Sequence, residues 1–156
     1  DKWKLENKTV SKLPLKYPKN NFKGKIQTGF FCKKEEIINN TENKKVLIIN
    51  ALRKTLHSGI ENINYGRPGH IKNSINIPST ELINKNTYLY KSAKELKKIF
   101  NEYNLFNKKK VITYCGGGIA ATNIAFAITM TGFKNITIYD ASLNEWAKNK
   151  RLPLEI

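Results

Sequence analysis

Cysteine, arginine, acidic residues and long apolar runs are all scarce in this 156-residue chain, and each scarcity excludes something. Two cysteines, Cys32 and Cys115, cannot build a disulfide-dense scaffold, and a chain of this length buries an adequate core without staples. At least one of them is therefore read as a free thiol. The longest weakly polar stretch, Ile119 to Met130, is broken by Thr122, Asn123 and Thr129, so it is too short and too polar to span a bilayer. No charged-then-apolar signal segment opens the chain. A soluble domain is expected, with the cytoplasm favoured. The start at Asp1 rather than Met is read as processing or a fragment, which leaves room for an upstream segment carrying an address.

Only 12 acidic residues face 28 basic ones, for a formal charge of +16, and arginine supplies just 3 of the 28. Lysine, asparagine and isoleucine together make up 64 of the 156 residues, the bias of an AT-rich coding sequence rather than of a nucleic-acid groove. The lysines are scattered from Lys2 to Lys150 without an RNP motif, a zinc finger or aromatic-basic interleaving, so nucleic-acid binding is disfavoured. Attraction of small anions remains. No grouping of His, Cys and acidic residues has metal-ligand spacing, so neither a metal nor another cofactor is expected.

With 40% hydrophobic and 26% charged residues, the composition fits one globular domain and a modest extension. Residues 1–25 are polar, contain Pro14, Pro18 and Gly24, and read as an extended linker, with ordered chain from 26 to 156. A short strand is expected over Ile26–Phe31 and a helical stretch from Lys33 to about Asn40. Val46-Leu47-Ile48-Ile49 is an unbroken apolar run suited to a strand covered on both faces. Residues 52–80, with Gly59, Gly66, Pro68, Gly69 and Pro78, read as a long irregular segment, and loops of that length usually carry function. Ser92-Ala93-Lys94-Glu95 is a capping box, followed at helical spacing by Leu96, Ile99, Phe100 and Tyr103. Val111–Tyr114 reads as a strand, Ala121 to about Thr131 as a helix ended by Gly132, and Ile136–Tyr139 as another strand. The alternation predicts an α/β fold with a largely parallel sheet, and such sheets bind ligands beyond the carboxyl ends of their strands.

Cys115 falls at such an end. It is followed by Gly116, Gly117 and Gly118, then by a helix start at Ile119-Ala120-Ala121. Without side chains in the way, several backbone N–H groups can converge on one sulfur and stabilise it as a thiolate or as a persulfide anion. The plainer reading is a small buried thiol at a strand end beside a tight turn, and the glycine triplet weighs against it. Cys32 has no such surroundings and is read as buried or incidental. Two phosphate readings fail on spacing: a P-loop needs Lys and Ser or Thr where the chain has Ile119-Ala120, and a cysteine phosphatase needs Arg six positions after its cysteine, which is Ala121. Among other residues, His70 is expected to order its loop, His57 to be exposed, and Asp140 and Trp146 to orient the turn after the last strand.

These pieces resemble the rhodanese family of sulfurtransferase domains from about Gln27 to Ile156. The matching parts are Val46–Ala51, Gly69-His70-Ile71, Ile75-Asn76-Ile77-Pro78, the Cys115 loop, Ile138-Tyr139-Asp140 with Trp146, and Leu152-Pro153. The resemblance implies a central five-stranded parallel sheet flanked by helices, with Cys115 as the catalytic cysteine and the amides of Gly116, Gly117, Gly118, Ile119 and Ala120 cradling a persulfide. Trp3-Lys4-Leu5-Glu6 and the Pro14–Phe22 stretch resemble the end of a preceding unit and an interdomain linker. The chain is thus similar to the C-terminal, catalytic half of tandem-domain thiosulfate or 3-mercaptopyruvate sulfurtransferases. The implied partners are a small anionic sulfur donor, a thiol or cyanide acceptor, and a preceding rhodanese-like domain. The chain departs from the pattern where Gly117 stands in place of a serine, Asn50 in place of an aspartate, and Leu52 and Leu56 where arginines are usual. Arg53 and Arg67 are left as the candidate substrate-binding cations. A second function reading, motivated by the missing arginines, is a sulfur-relay or binding module with little activity on small donors.

Overall fold

The computed structural model describes residues 2–25, 28–61 and 65–156. The domain is built on a five-stranded parallel sheet whose spatial order is β1 (Phe31–Cys32), β6 (Ile136–Tyr139), β5 (Lys110–Tyr114), β2 (Val46–Asn50), β4 (Ile75–Asn76). Strands β2 and β5 lie in the middle in direct register, Leu47 opposite Val111 and Ile49 opposite Thr113. Successive side chains of a strand point to opposite faces, so the apolar runs are split between two cores. On one face Leu47, Ile49 and Val111 pack with helices α4 (Ala93–Asn101) and α5 (Ile119–Met130) through Leu96, Phe100, Ile124 and Ile128. On the other, Ile48, Ile112 and Tyr114 pack with Ile37 of α2 (Lys34–Ile38) and Trp146 of α6 (Ser142–Trp146). Both edge strands are two residues long, which leaves little unpaired backbone for a foreign strand to join.

The expected capping box is present. Ser92 Oγ accepts from Glu95 N–H at 3.3 Å while Glu95 Oε2 accepts from Ser92 N–H at 2.8 Å. The helix it starts closes at Asn101, and Asn104, at φ 52°, turns the chain away before Tyr103 can join a further turn. Other expectations are corrected. The first strand is only Phe31–Cys32, and Ile26 and Gln27 lie outside the described residues. The segment 52–80 is not irregular throughout: it contains α3 (Lys54–His57), β3 (His70–Ile71), the edge strand β4 and a 3-10 turn over Ser79–Leu82. Strand β3 pairs antiparallel with β7 (Leu154–Glu155), so the C-terminus returns to this segment and holds it. Those pairings are long-range and too short to leave a local pattern. Residues 2–25 carry only the turn α1 (Lys2–Leu5) and are exposed along their whole length.

One buried hydroxyl ties the sheet to its loops. Tyr114 Oη accepts from Asn50 Nδ2 at 3.1 Å and from Ile71 N–H at 2.9 Å, which directs its own hydrogen to Ser74 Oγ at 2.7 Å. Burial makes its ionisation still harder than that of an ordinary phenol, so it remains a neutral donor and acceptor. Tyr114→Phe strands two buried donors, at about 1–3 kcal/mol each. Thermal unfolding should show a Tm lowered by about 5–20 °C for a domain of this size, with near-wild-type far-ultraviolet circular dichroism.

Candidate functional site

The carboxyl end of β5 is where the sheet stops and a thiol begins. Cys115 is 2% exposed and packs against the first core cluster. Helix α5 starts at Ile119, two residues earlier than the sequence suggests, because Gly118 at φ 89° turns the chain directly into it. The loop is therefore only Cys115 to Gly118, with Ile119 and Ala120 forming the first turn of the helix.

The start of α6 grips this loop by its main chain. Ser142 Oγ accepts from Cys115 N–H at 3.0 Å and donates to Tyr139 O at 2.7 Å. Leu143 N–H donates to Cys115 O at 3.1 Å and Asn144 N–H to Gly116 O at 2.9 Å. Those bonds use the loop's carbonyls and the N–H of Cys115. Among the described residues, no acceptor is found for the N–H groups of Gly116, Gly117, Gly118, Ile119 and Ala120. Five consecutive main-chain donors that follow Cys115 are thus left over, the last two of them in the first turn of α5.

Each glycine has a specific neighbour. A Cβ on Gly116 would overlap the ring and hydroxyl of Tyr65; one on Gly117 would come within 2.8 Å of Asn144 Nδ2; one on Gly118 would collide with the Asp140 carboxylate. Asp140 thus stands beside the loop, while Trp146, fully buried, donates from Nε1 to Pro153 O at 2.9 Å and anchors the C-terminal turn. Asn50, at the position of the usual aspartate, shapes the turn after β2 by accepting from Leu52 N–H at 2.8 Å.

The two candidate cations are occupied elsewhere. Arg53 is exposed and forms a forked pair with Glu61, Nε to Oε2 at 2.6 Å and Nη2 to Oε1. Hydrogen bonds from Arg53 and Thr55 hold the Glu61 carboxyl down to about 2. Arg67 donates from Nε to Ala147 O at 3.1 Å and from Nη2 to Asn149 O at 2.8 Å and Leu152 O at 2.7 Å. It staples the C-terminal turn. Neither guanidinium donates to the cysteine loop; both are engaged by these internal acceptors. Leu52 and Leu56 line a cleft with Tyr65 and Leu143.

Cys32 is half-buried, and burial, reinforced by Glu36, pushes its thiol up to about 11, which keeps it unreactive. Among the described residues, no group of three His, Cys, Asp or Glu is placed to hold a metal. No described helix is long and apolar enough to cross a membrane. Sequence reasoning missed Ser142, Asn144 and Tyr65. Ser142-Leu143-Asn144-Glu145 has the spacing of a capping box, yet Ser142, at φ 52°, spends its hydroxyl on Cys115 instead. Tyr65 carries no local signal at all.

Comparison with known proteins bears on the whole domain. The model of the family described as "Rhodanese-like domain" matches residues 33–149. The mouse (Mus musculus) 3-mercaptopyruvate sulfurtransferase is 27% identical over 146 residues, covering 92% of this chain and 49% of its own length. The Arabidopsis thaliana thiosulfate/3-mercaptopyruvate sulfurtransferase 1, mitochondrial, is 32% identical over 137 residues, covering 86% of this chain and 36% of its own. A solved structure of EanB with ergothioneine covalently linked to a persulfide cysteine superposes with a TM-score of 0.83 at 19% identity, covering 98% of this chain and 38% of that one. This chain spans half or less of the length of these relatives.

Histidine chemistry at the rim is structural. His57, expected to be exposed, is half-buried because its ring stacks on His70 at 3.7 Å, and His70 Nδ1–H donates to His57 O at 2.8 Å. Burial, then the neighbouring His70, lowers the His57 imidazole from 6.5 to about 4. A base depressed in the native state binds fewer protons folded than unfolded, so stability is full above about pH 6.5 and declines as pH falls toward 4. Urea titrations should show about 1 kcal/mol lost across that window after allowing for its partial exposure. His57→Leu should flatten this decline.

Proposed function

Because the chain belongs to the rhodanese-like domain family, we propose that it is a sulfurtransferase domain whose Cys115 carries a sulfane sulfur between an anionic donor and a thiol or cyanide acceptor. In the first step the Cys115 thiolate attacks the outer sulfur of the donor. The bond from that sulfur to the rest of the donor breaks, and its electron pair leaves on sulfite from thiosulfate, or on the enolate of pyruvate from 3-mercaptopyruvate. In the second step an acceptor thiolate or cyanide attacks the outer sulfur of the Cys115 persulfide, and Cys115 departs again as a thiolate.

The single observation that carries this reading is the set of five N–H groups, from Gly116 to Ala120, that follow Cys115 and have no protein acceptor among the described residues. Donors fixed in advance stabilise negative charge without reorganising when it arrives. The curated relatives are named for both donors, and a solved structure with the same fold carries a persulfide cysteine. Gly117 supplies no hydroxyl where serine is usual, so on this reading the main chain alone assists bond breaking. A preceding rhodanese-like domain would complete the cleft above the loop, consistent with a match that covers only 49% of the mouse relative and 36% of the Arabidopsis one.

A second reading, a sulfur-relay module loaded by a protein partner, is favoured by one observation. Arg53 and Arg67 are tied to internal acceptors, which leaves a small anionic donor without a guanidinium clamp.

Incubation with thiosulfate or 3-mercaptopyruvate followed by peptide mass spectrometry should place one added sulfur atom on the Cys115 peptide and none on the Cys32 peptide. Cys115→Ser should abolish both the added mass and cyanide-dependent turnover. Failure of both donors contradicts turnover of small donors, and loading by a persulfidated protein would then support the relay.

A further inference from the structure

Tyr65 lies across the cysteine loop in a way that neither the fold nor the sulfur chemistry requires. The end of its ring, Cζ, Cε1 and Oη, fills the space that a side chain on Gly116 would take. Cys115, one residue before Gly116, is itself only 2% exposed, and Tyr65 lines a cleft with Leu52, Leu56 and Leu143. In this arrangement no donor reaches Sγ until something moves.

The surroundings decide what can move. On one side, α6 holds the loop through Ser142, Leu143 and Asn144. On the other, Arg67 fastens the chain two residues beyond Tyr65 to Ala147, Asn149 and Leu152, and Gly66, at φ 123°, packs directly on the Ala147 carbonyl. The cysteine loop and the chain that follows Tyr65 are therefore pinned. The Tyr65 side chain is half-buried and, among the described residues, its hydroxyl makes no hydrogen bond. A phenol held by ring packing alone leaves its position by side-chain rotation without breaking a polar contact.

We propose that Tyr65 is a specificity-determining cap: its ring closes the approach to Cys115, a donor must displace it, and a sulfur held on Cys115 is sheltered by it from small thiols. This rests on the sulfur-carrier reading of Cys115 for its purpose, but not for its geometry. The ring is the working part. Its hydroxyl is dispensable.

The test measures alkylation of Cys115 by iodoacetamide, without any sulfur donor, in a Cys32→Ser background. Tyr65→Ala should be labelled about tenfold faster than the parent, Tyr65→Leu at an intermediate rate, and Tyr65→Phe within about twofold of the parent, as for removal of a local closing contact. Thermal melts of the variants establish that the fold is retained, and the graded series makes the reading independent of any one substitution. The same variants loaded with inorganic polysulfide should lose their sulfur to glutathione in the same order. Labelling of Tyr65→Ala at the parent rate overturns the proposal. So does Tyr65→Phe behaving like Tyr65→Ala, which assigns the closure to the hydroxyl. If labelling follows the expected order but no variant ever carries sulfur, the cap stands and the sulfurtransferase reading alone fails.

Discussion

The grip of α6 on the loop after β5 is the constraint from which the rest of the site follows. Ser142, Leu143 and Asn144 use the N–H of Cys115 and the carbonyls of Cys115 and Gly116, three bonds of about 1 kcal/mol each. What the grip leaves over matters more than its strength. With the carbonyls of Cys115 and Gly116 engaged, the N–H groups from Gly116 onward are left over, and the Asp140 carboxylate beside Gly118 is the charged side chain nearest them. On the proposed reading, a site built this way would select for anionic sulfur rather than for a particular donor molecule.

Cys115 sits at 2% exposure among apolar neighbours, with the amides that follow it unclaimed among the described residues. The glycines settle how close those amides come. Tyr65, Asn144 and Asp140 stand where Cβ atoms at 116, 117 and 118 would be, so the triplet serves tight packing. The Asp140 carboxylate beside Gly118 adds a repulsive charge that any incoming dianion meets. The net charge of +16 acts at longer range and draws anions to the surface without choosing among them.

The parts legible in the sequence were those with a local physical signature. The apolar runs at 46–49 and 111–114 became the buried central strands because parallel strands covered on both faces need no polar alternation. The Ser92–Glu95 capping box and the Cys115 loop at a strand end were equally visible. The rest depended on pairings distant in sequence. Strand β3 exists because β7 reaches it from residue 154, and Arg67 looks like a loop cation until Ala147, Asn149 and Leu152 claim its donors. Ser142 carries a capping signature yet turns its hydroxyl to Cys115, and Tyr65 enters the site only through the fold.

Amide-resolved NMR of the isotopically labelled chain, before and after persulfidation of Cys115 by inorganic polysulfide, tests the central claim most directly. If the loop main chain holds the anionic sulfur, the amide protons of Gly116 to Ala120 shift downfield together while those of α4 stay in place. Unmoved loop amides on a protein that demonstrably carries the extra sulfur would contradict the account.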